Sequence, residues 1–437
     1  MATADKPVET LTRGLGLLDA TTLVMGSMIG SGIFIVSADI ARQVRSPGLL
    51  IMTWVTTALL TIIAALSYGE LAAAMPQAGG QYVYLREAFG PLSGFLYGWT
   101  LFFVIQTGTI AAVAVAFAKF TGVFFPAISA HRYLIGSGSI GLTTQQLLAI
   151  VVLVALSALN TRGVRTGAIV QNIFTTAKVA ALLGLVVLGL AFGRNPQAIA
   201  DNFGGFWRNA SWSWDAVKIT GVAMVGALFS SDAWNNVTFT GAEVRNPRRN
   251  LPLAAIQNAP EDRVATAVAA GILGPAAVRI MAAAIMISTF GCLNGMILAG
   301  ARVYYAMALD GLFFKQVARL DPVHHTPVMS LAVQCAWACL LTLSGRYNDL
   351  LDYVIFAVLL FYIMTIAGII VLRRKRPDMP RPYRAIGYPV LPLLYMAIAG
   401  LIEVLLLLYK PRYTWPGLII VLLGIPVYFA WRRGAAR

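Results

Sequence analysis

Gly26-Ser27-Met28-Ile29-Gly30-Ser31-Gly32-Ile33-Phe34 interrupts the first long apolar stretch of the chain near its middle. Three glycines and two serines stand where a membrane helix would carry leucines. A bilayer core offers no water to backbone N–H and C=O groups, so a helix can break there only where the freed groups face protein or a polar cavity. The ends of such half-helices carry partial charges that can receive a ligand. The stretch therefore predicts a discontinuous membrane helix lining a solute site, the arrangement of a carrier.

Working outward, the composition agrees. Of 437 residues, 58% are hydrophobic and 12% are charged. Several apolar runs exceed the roughly 20 residues that cross about 30 Å of hydrocarbon. The formal charge of +15 comes from basic residues in short loops between these runs, which is an orientation signal. No nucleic acid partner is expected from it. Cys292, Cys335 and Cys339 lie inside apolar segments and read as core residues, not as a disulfide framework. The N-terminal MATADKPVETLTRG lacks the charged, apolar and small-residue order of a signal peptide, so no cleavage is expected.

Hydropathy places eleven segments near 15–43, 48–75, 90–122, 144–160, 167–193, 214–240, 276–306, 328–345, 350–372, 388–409 and 413–431. Basic clusters at Arg162 and Arg165, Arg245 to Arg249, Lys315 with Arg319, Arg373 to Arg384, and Arg432 with Arg433 should face the cytoplasm. The first six segments satisfy this from an inside N-terminus. The next step does not, because one clear segment lies between Arg249 and Lys315 although both flanks are basic. The linker Leu251 to Ala270 carries Glu261, Asp262 and Arg263 and is no ordinary span. Either a helix is absent near Leu253 to Ile256, the favoured reading, or residues 264–278 make a short crossing through Pro275.

The sixth segment is interrupted too, at Phe229-Ser230-Ser231-Asp232-Ala233-Trp234-Asn235-Asn236. Paired broken helices in two halves of a chain are the best sequence pointer to a transporter site at the bilayer midplane. GSMIGSGIF, SYGELAAAMPQAGGQYVYLREAFG (67–90), FSSDAWNNV (229–237), EVRNPRRNLP (243–252) and STFGCLNG (288–295) together resemble the amino acid–polyamine–organocation superfamily, and within it the L-type amino acid transporters. The resemblance covers nearly the whole chain. It implies an all-α polytopic membrane protein with a leucine-transporter-type fold, two inverted five-helix repeats plus two extra helices. The expected organisation is a cytoplasmic tail over 1–14, a first repeat over 15–193, a second over 214–372, two helices over 388–431 and a cytoplasmic tail over 432–437. The family carries a seventh helix after the RNLP-like turn, and here Leu253 runs into AIQNAPEDRVA, so about 11 spans stand in place of 12.

Helix ends set the expected chemistry. Backbone N–H groups near Gly30, Ser31 and Gly32 suit a carboxylate, and glycine lets the ligand approach. Carbonyls around Ser27 and Met28, with those near Phe229 and Ser230, suit an ammonium. The resemblance implies the same use of these residues and assigns Phe229 as an aromatic gate. Lys178 lies 13 residues beyond Arg165, about 20 Å along a helix and past snorkelling reach. The resemblance places its ammonium where sodium-coupled relatives hold an ion, touching the first break and the hydroxyl of Ser288, which implies sodium-independent transport; a permanently paired structural lysine and a proton-carrying lysine are the other readings. Asp232 is either a substrate contact or a cap within the unwound turn.

Other features read more plainly. Glu70 and Glu87 flank an inner loop and are expected to pair with basic cytoplasmic segments. Trp99, Trp212, Trp214 and Trp415 suit an interfacial belt. His324 and His325 are too few for a metal site, no cofactor is implied, and Glu403 has no partner legible in the sequence. No nucleophile with a base and no paired carboxylates support an enzyme. The expected function is secondary transport of neutral L-amino acids across the plasma membrane by alternating access, through sodium-independent exchange or through facilitated or proton-linked uptake. The alternatives are a carrier of cationic amino acids or polyamines, and a transport-inactive amino acid sensor. The loop Gly122 to Thr143 lacks the cysteine by which animal L-type light subunits bond a glycoprotein, so no disulfide-linked heavy subunit is expected.

Overall fold

The computed structural model of the chain describes residues 11–30, 32–137, 140–192, 196–251, 276–344 and 347–435. Ser31, and the linker in which the absent helix or short crossing was expected, lie outside these residues. The first apolar stretch forms α1 (Leu17–Met28) and α2 (Gly32–Val44). Proline at the first position then opens α3 (Pro47–Ala74), where the missing N–H is no loss. A short α4 (Gln81–Phe89) precedes α5 (Pro91–Thr100), which passes through a π turn at Leu101–Ile105 into α6 (Gln106–Thr121).

The following loop carries a two-stranded antiparallel hairpin, β1 (Tyr133–Ser137) and β2 (Ile140–Thr143), which the all-helical reading did not foresee. Next come α7 (Thr144–Asn160), started by a capping box between Thr143 and Gln146, then α8 (Val164–Phe192) and α9 (Pro196–Phe203). The second broken segment gives α10 (Trp214–Ser230) and a single turn, α11 (Asn236–Phe239). The chain continues in α12 (Ala276–Leu309), α13 (Val328–Ser344), α14 (Tyr347–Lys375), α15 (Val390–Tyr409) and α16 (Pro411–Ala435).

Each of the eleven expected segments coincides with a helix or a broken pair. Among the described residues, seven helices are long and apolar enough to cross a membrane, and Leu17–Met28, Thr144–Asn160 and Val328–Leu343 are shorter apolar helices. This is an all-α polytopic membrane architecture, with the hairpin as the one addition among the described residues. Within the apolar helices polar side chains turn inward on their own backbone: the hydroxyls of Thr53, Thr57 and Thr61 donate to carbonyls four residues earlier at 2.8–2.9 Å.

Packing positions the two breaks. The lower half-helix α1 lies against α8 and α12, while α2 runs along α10. The N-terminal strap closes onto the turn after α11, with Leu15 N–H donating to Glu243 O and Arg245 N–H donating to Leu15 O, at 2.9 and 2.7 Å. Trp212, Trp214 and Trp415 are exposed, and Trp99 is half-buried, packed on Phe95 and Phe103 and donating to the Ile420 carbonyl at 3.0 Å.

Candidate functional site

At the first break Ile29 leaves helical geometry, with φ −76° and ψ 82°, and the chain re-enters a helix at Gly32. At the second, Ser231 closes the last turn of α10 and Ala233 adopts φ +68°. That left-handed conformation is uncommon outside glycine and marks a turn held in place by its surroundings. The breaks meet face to face. A Cβ at Gly32 would collide with the Ser230 side chain and lie 3.1 Å from its Cα, so only glycine permits this approach.

A cavity opens at the meeting point. Ser27, Met28, Gly30 and Gly32 line it from the first break, and Phe229, Ser230, Asp232 and Ala233 from the second. Thr109 and Val113 of α6 and Cys292 and Met296 of α12 complete it. Seven of the eight predicted contact residues thus share one space, and the eighth, Ser31, lies outside the described residues. Thr109, Val113 and Met296 carry no local signature, because such residues in an apolar run look like core, and Cys292, although inside STFGCLNG, reads as core too. Phe229 is buried beside the cavity within the main apolar cluster.

Lys178 is 1% exposed, and its Nζ donates to the carbonyls of Gly26, Ile29 and Ser288 at 2.8, 2.8 and 2.9 Å. All three donors of the ammonium are satisfied by the negative end of α1 and by α12. The expected contact with the Ser288 hydroxyl is corrected in detail. Lys178 takes the Ser288 carbonyl, and the hydroxyl donates to Ile29 O and Gly30 O at 2.8 and 3.1 Å. Cys292 Sγ donates to Ser27 O at 3.0 Å, while the Ser27 hydroxyl is buried without a partner among the described residues. These contacts tie α1, α8 and α12 into one unit at the break.

Asp232 joins a second polar chain. Tyr362 OH donates to its Oδ1 at 2.6 Å, Asn235 Nδ2 donates to Gln81 Oε1 at 2.8 Å, and Gln81 Nε2 donates to Thr365 Oγ1 at 3.0 Å. A neighbouring cavity lined by Gln81, Gln106, Asn235 and Tyr362 also reaches Asp232. Its position leaves both sequence readings of Asp232 in place, with a tyrosine partner that neither included.

Beyond this chain lies a cluster of ion pairs. Glu70 accepts from Arg373 at 2.9 and 2.6 Å and from the Ala385 N–H at 2.7 Å, and Arg381 approaches it at 3.4 Å. Glu87 pairs with Arg376 at 2.7 Å, and Arg86 pairs with Asp310. Both acids hold the α4 loop against basic segments, as their flanking positions implied. Arg302, fully buried on α12, forks onto Glu243 at 2.7 and 3.0 Å and donates to Leu298 O at 2.7 Å. The sequence reading passed over Arg302, although an arginine inside an apolar run was the available signal.

The profile of the amino acid permease family matches residues 15–259 and 256–429, two stretches that overlap at 256–259, inside the linker. The chain belongs to that family. Rabbit (Oryctolagus cuniculus) large neutral amino acids transporter small subunit 2 is 29% identical, over 96% of this chain and 80% of the relative. Mouse (Mus musculus) b(0,+)-type amino acid transporter 1 is 28% identical, over 98% and 91%. Human (Homo sapiens) Asc-type amino acid transporter 1 is 28% identical, over 97% and 83%. The permease is thus similar along nearly its whole length to transporters of the L-type group, and it is no enzyme.

Proposed function

We propose that this permease carries neutral L-amino acids across the plasma membrane by alternating access, with the zwitterion held between the two breaks. The first N–H groups of α2 receive the carboxylate, and the carbonyls of Ser27, Met28, Phe229 and Ser230 receive the ammonium. The observation that carries this reading is the shared cavity: residues about 200 positions apart in the chain, brought together with their helix ends facing one space. Phe229 closes over the substrate from the side.

Lys178 supports sodium independence. Its ammonium occupies the carbonyls of Gly26 and Ile29, where a monovalent cation would otherwise bind, and couples the first break to α12 during the cycle. Two inverted repeats, 15–193 and 214–372, supply the rocking elements, and the ion-pair cluster marks the cytoplasmic face. The chain works without a disulfide-linked heavy subunit. A second reading, a cationic amino acid, is favoured by the Asp232 carboxylate on the cavity wall.

Proteoliposomes test both. Labelled leucine or arginine should enter vesicles preloaded with amino acid, without sodium, and the labelled compound that enters identifies the class. Uptake of neither would remove the transport reading and leave the inert sensor.

A further inference from the structure

Glu403 on α15 is 7% exposed, and neither carboxyl oxygen has a hydrogen-bond partner among the described residues. The other buried acids described, Glu70 and Glu243, each face arginines. An acid retained for structure is paired, because an unpaired carboxylate inside a membrane is far costlier than the neutral acid, and even the neutral acid loses its hydrogen bonds to water. An unpaired intramembrane carboxyl is by default a functional group.

Its place along α15 says which function. That helix packs on α3, α10, α14 and α16. Toward the surface remote from the ion-pair cluster, Leu405 would meet a Cβ at Gly221, and Lys218, paired with Asp215, lies 5.5 Å from the Tyr409 ring. In the other direction, Tyr395, Ala399 and Glu403 form a buried stripe. Tyr395, eight residues and about 12 Å along the axis from Glu403, lines a cavity with Ser231, Asp232, Trp234 and Tyr362. Ionisable groups on or beside the elements packed against α15 include Tyr362 on α14, Tyr68 on α3, Asp232 after α10 and Tyr428 on α16. Lys218 and Asp215 stand at the remote end, with Lys410 and Arg412 at the turn into α16.

We propose that Glu403 is the proton carrier of this permease, standing between the remote surface and the cavity shared with Asp232. It takes one proton from the medium at the remote end as substrate enters. It releases that proton through the Tyr395–Tyr362–Asp232 cavity to the opposite medium as substrate leaves, which regenerates the carboxylate. The inference rests on the transport reading above and specifies its driving force.

The test is Glu403→Gln in proteoliposomes under an imposed pH gradient, acid outside, with whichever of labelled leucine or arginine the wild type exchanges. Wild type should accumulate label several-fold above the no-gradient level, and a protonophore should abolish the gain. E403Q should lose that gain completely while one-for-one exchange, which moves no net proton, persists with an unchanged detergent melting temperature. Gradient-driven accumulation by E403Q equal to wild type would overturn the proposal. So would wild-type exchange that is indifferent to the gradient, and that result would leave the transport reading standing. Absence of any exchange by wild type would remove both.

Discussion

Gly32 is the residue on which the site geometry turns, because its missing Cβ lets α2 start against Ser230. A methyl group there must push α2 and α10 apart, shifting both the N–H groups and the carbonyls that face the cavity. Gly32→Ala should therefore cut amino acid exchange at least tenfold. Gly184→Ala, in α8 where an added Cβ meets nothing within 4 Å, should leave exchange within twofold and raise helix stability slightly. Equal exchange by G32A and G184A would show that the close approach has no bearing on binding. Ala233, at φ +68°, makes the complementary case. Glycine fits that conformation without strain, so Ala233→Gly should be tolerated thermally.

At the scale of elements, the buried Arg302–Glu243 fork joins α12 to the turn after α11, where the N-terminal strap is also fastened. Removing one partner leaves the other buried and uncompensated, a loss of about 3–5 kcal/mol. Arg302→Met should lower the melting temperature in detergent by many degrees. Adding Glu243→Gln should recover much of that loss, because the neutral amide no longer carries an unpaired charge. If R302M and the double variant melt together, the cost lies in lost packing of the arginine stem and not in the ion pair.

At the scale of the molecule, the ion pairs around Glu70, Glu87, Asp310 and Glu243 gather loops from both halves at one end. Leu15 reaches Glu243 there, and Trp431 donates to Gly311 O, so both ends of the described chain lie at this face. In a variant lacking the three cysteines, single cysteines at Arg248 and Lys315 should react with a membrane-impermeant thiol reagent from the same side. One at Ser211 should react from the other. All three positions are exposed. Labelling of Arg248→Cys and Lys315→Cys from opposite faces would reverse the parity argument and with it the orientation drawn from the basic loops.

Much of this was legible in one dimension, for a physical reason. A bilayer forces every span to be long and apolar, and makes any polar interruption conspicuous, so the helix segments, the two breaks and Lys178 could be read without coordinates. Contacts between spans leave no such trace. Thr109, Val113, Cys292 and Met296 enter the cavity wall only because α6 and α12 pack beside the breaks. The exchange of roles at Ser288, whose carbonyl receives Lys178 while its hydroxyl reaches the first break, depends on rotations no spacing encodes. The sequence by itself determined where backbone is opened in the membrane. Tertiary packing alone decided which helices close around the openings, and which buried ionisable side chains find a partner among the described residues, as Arg302 and Glu243 do and Glu403 does not.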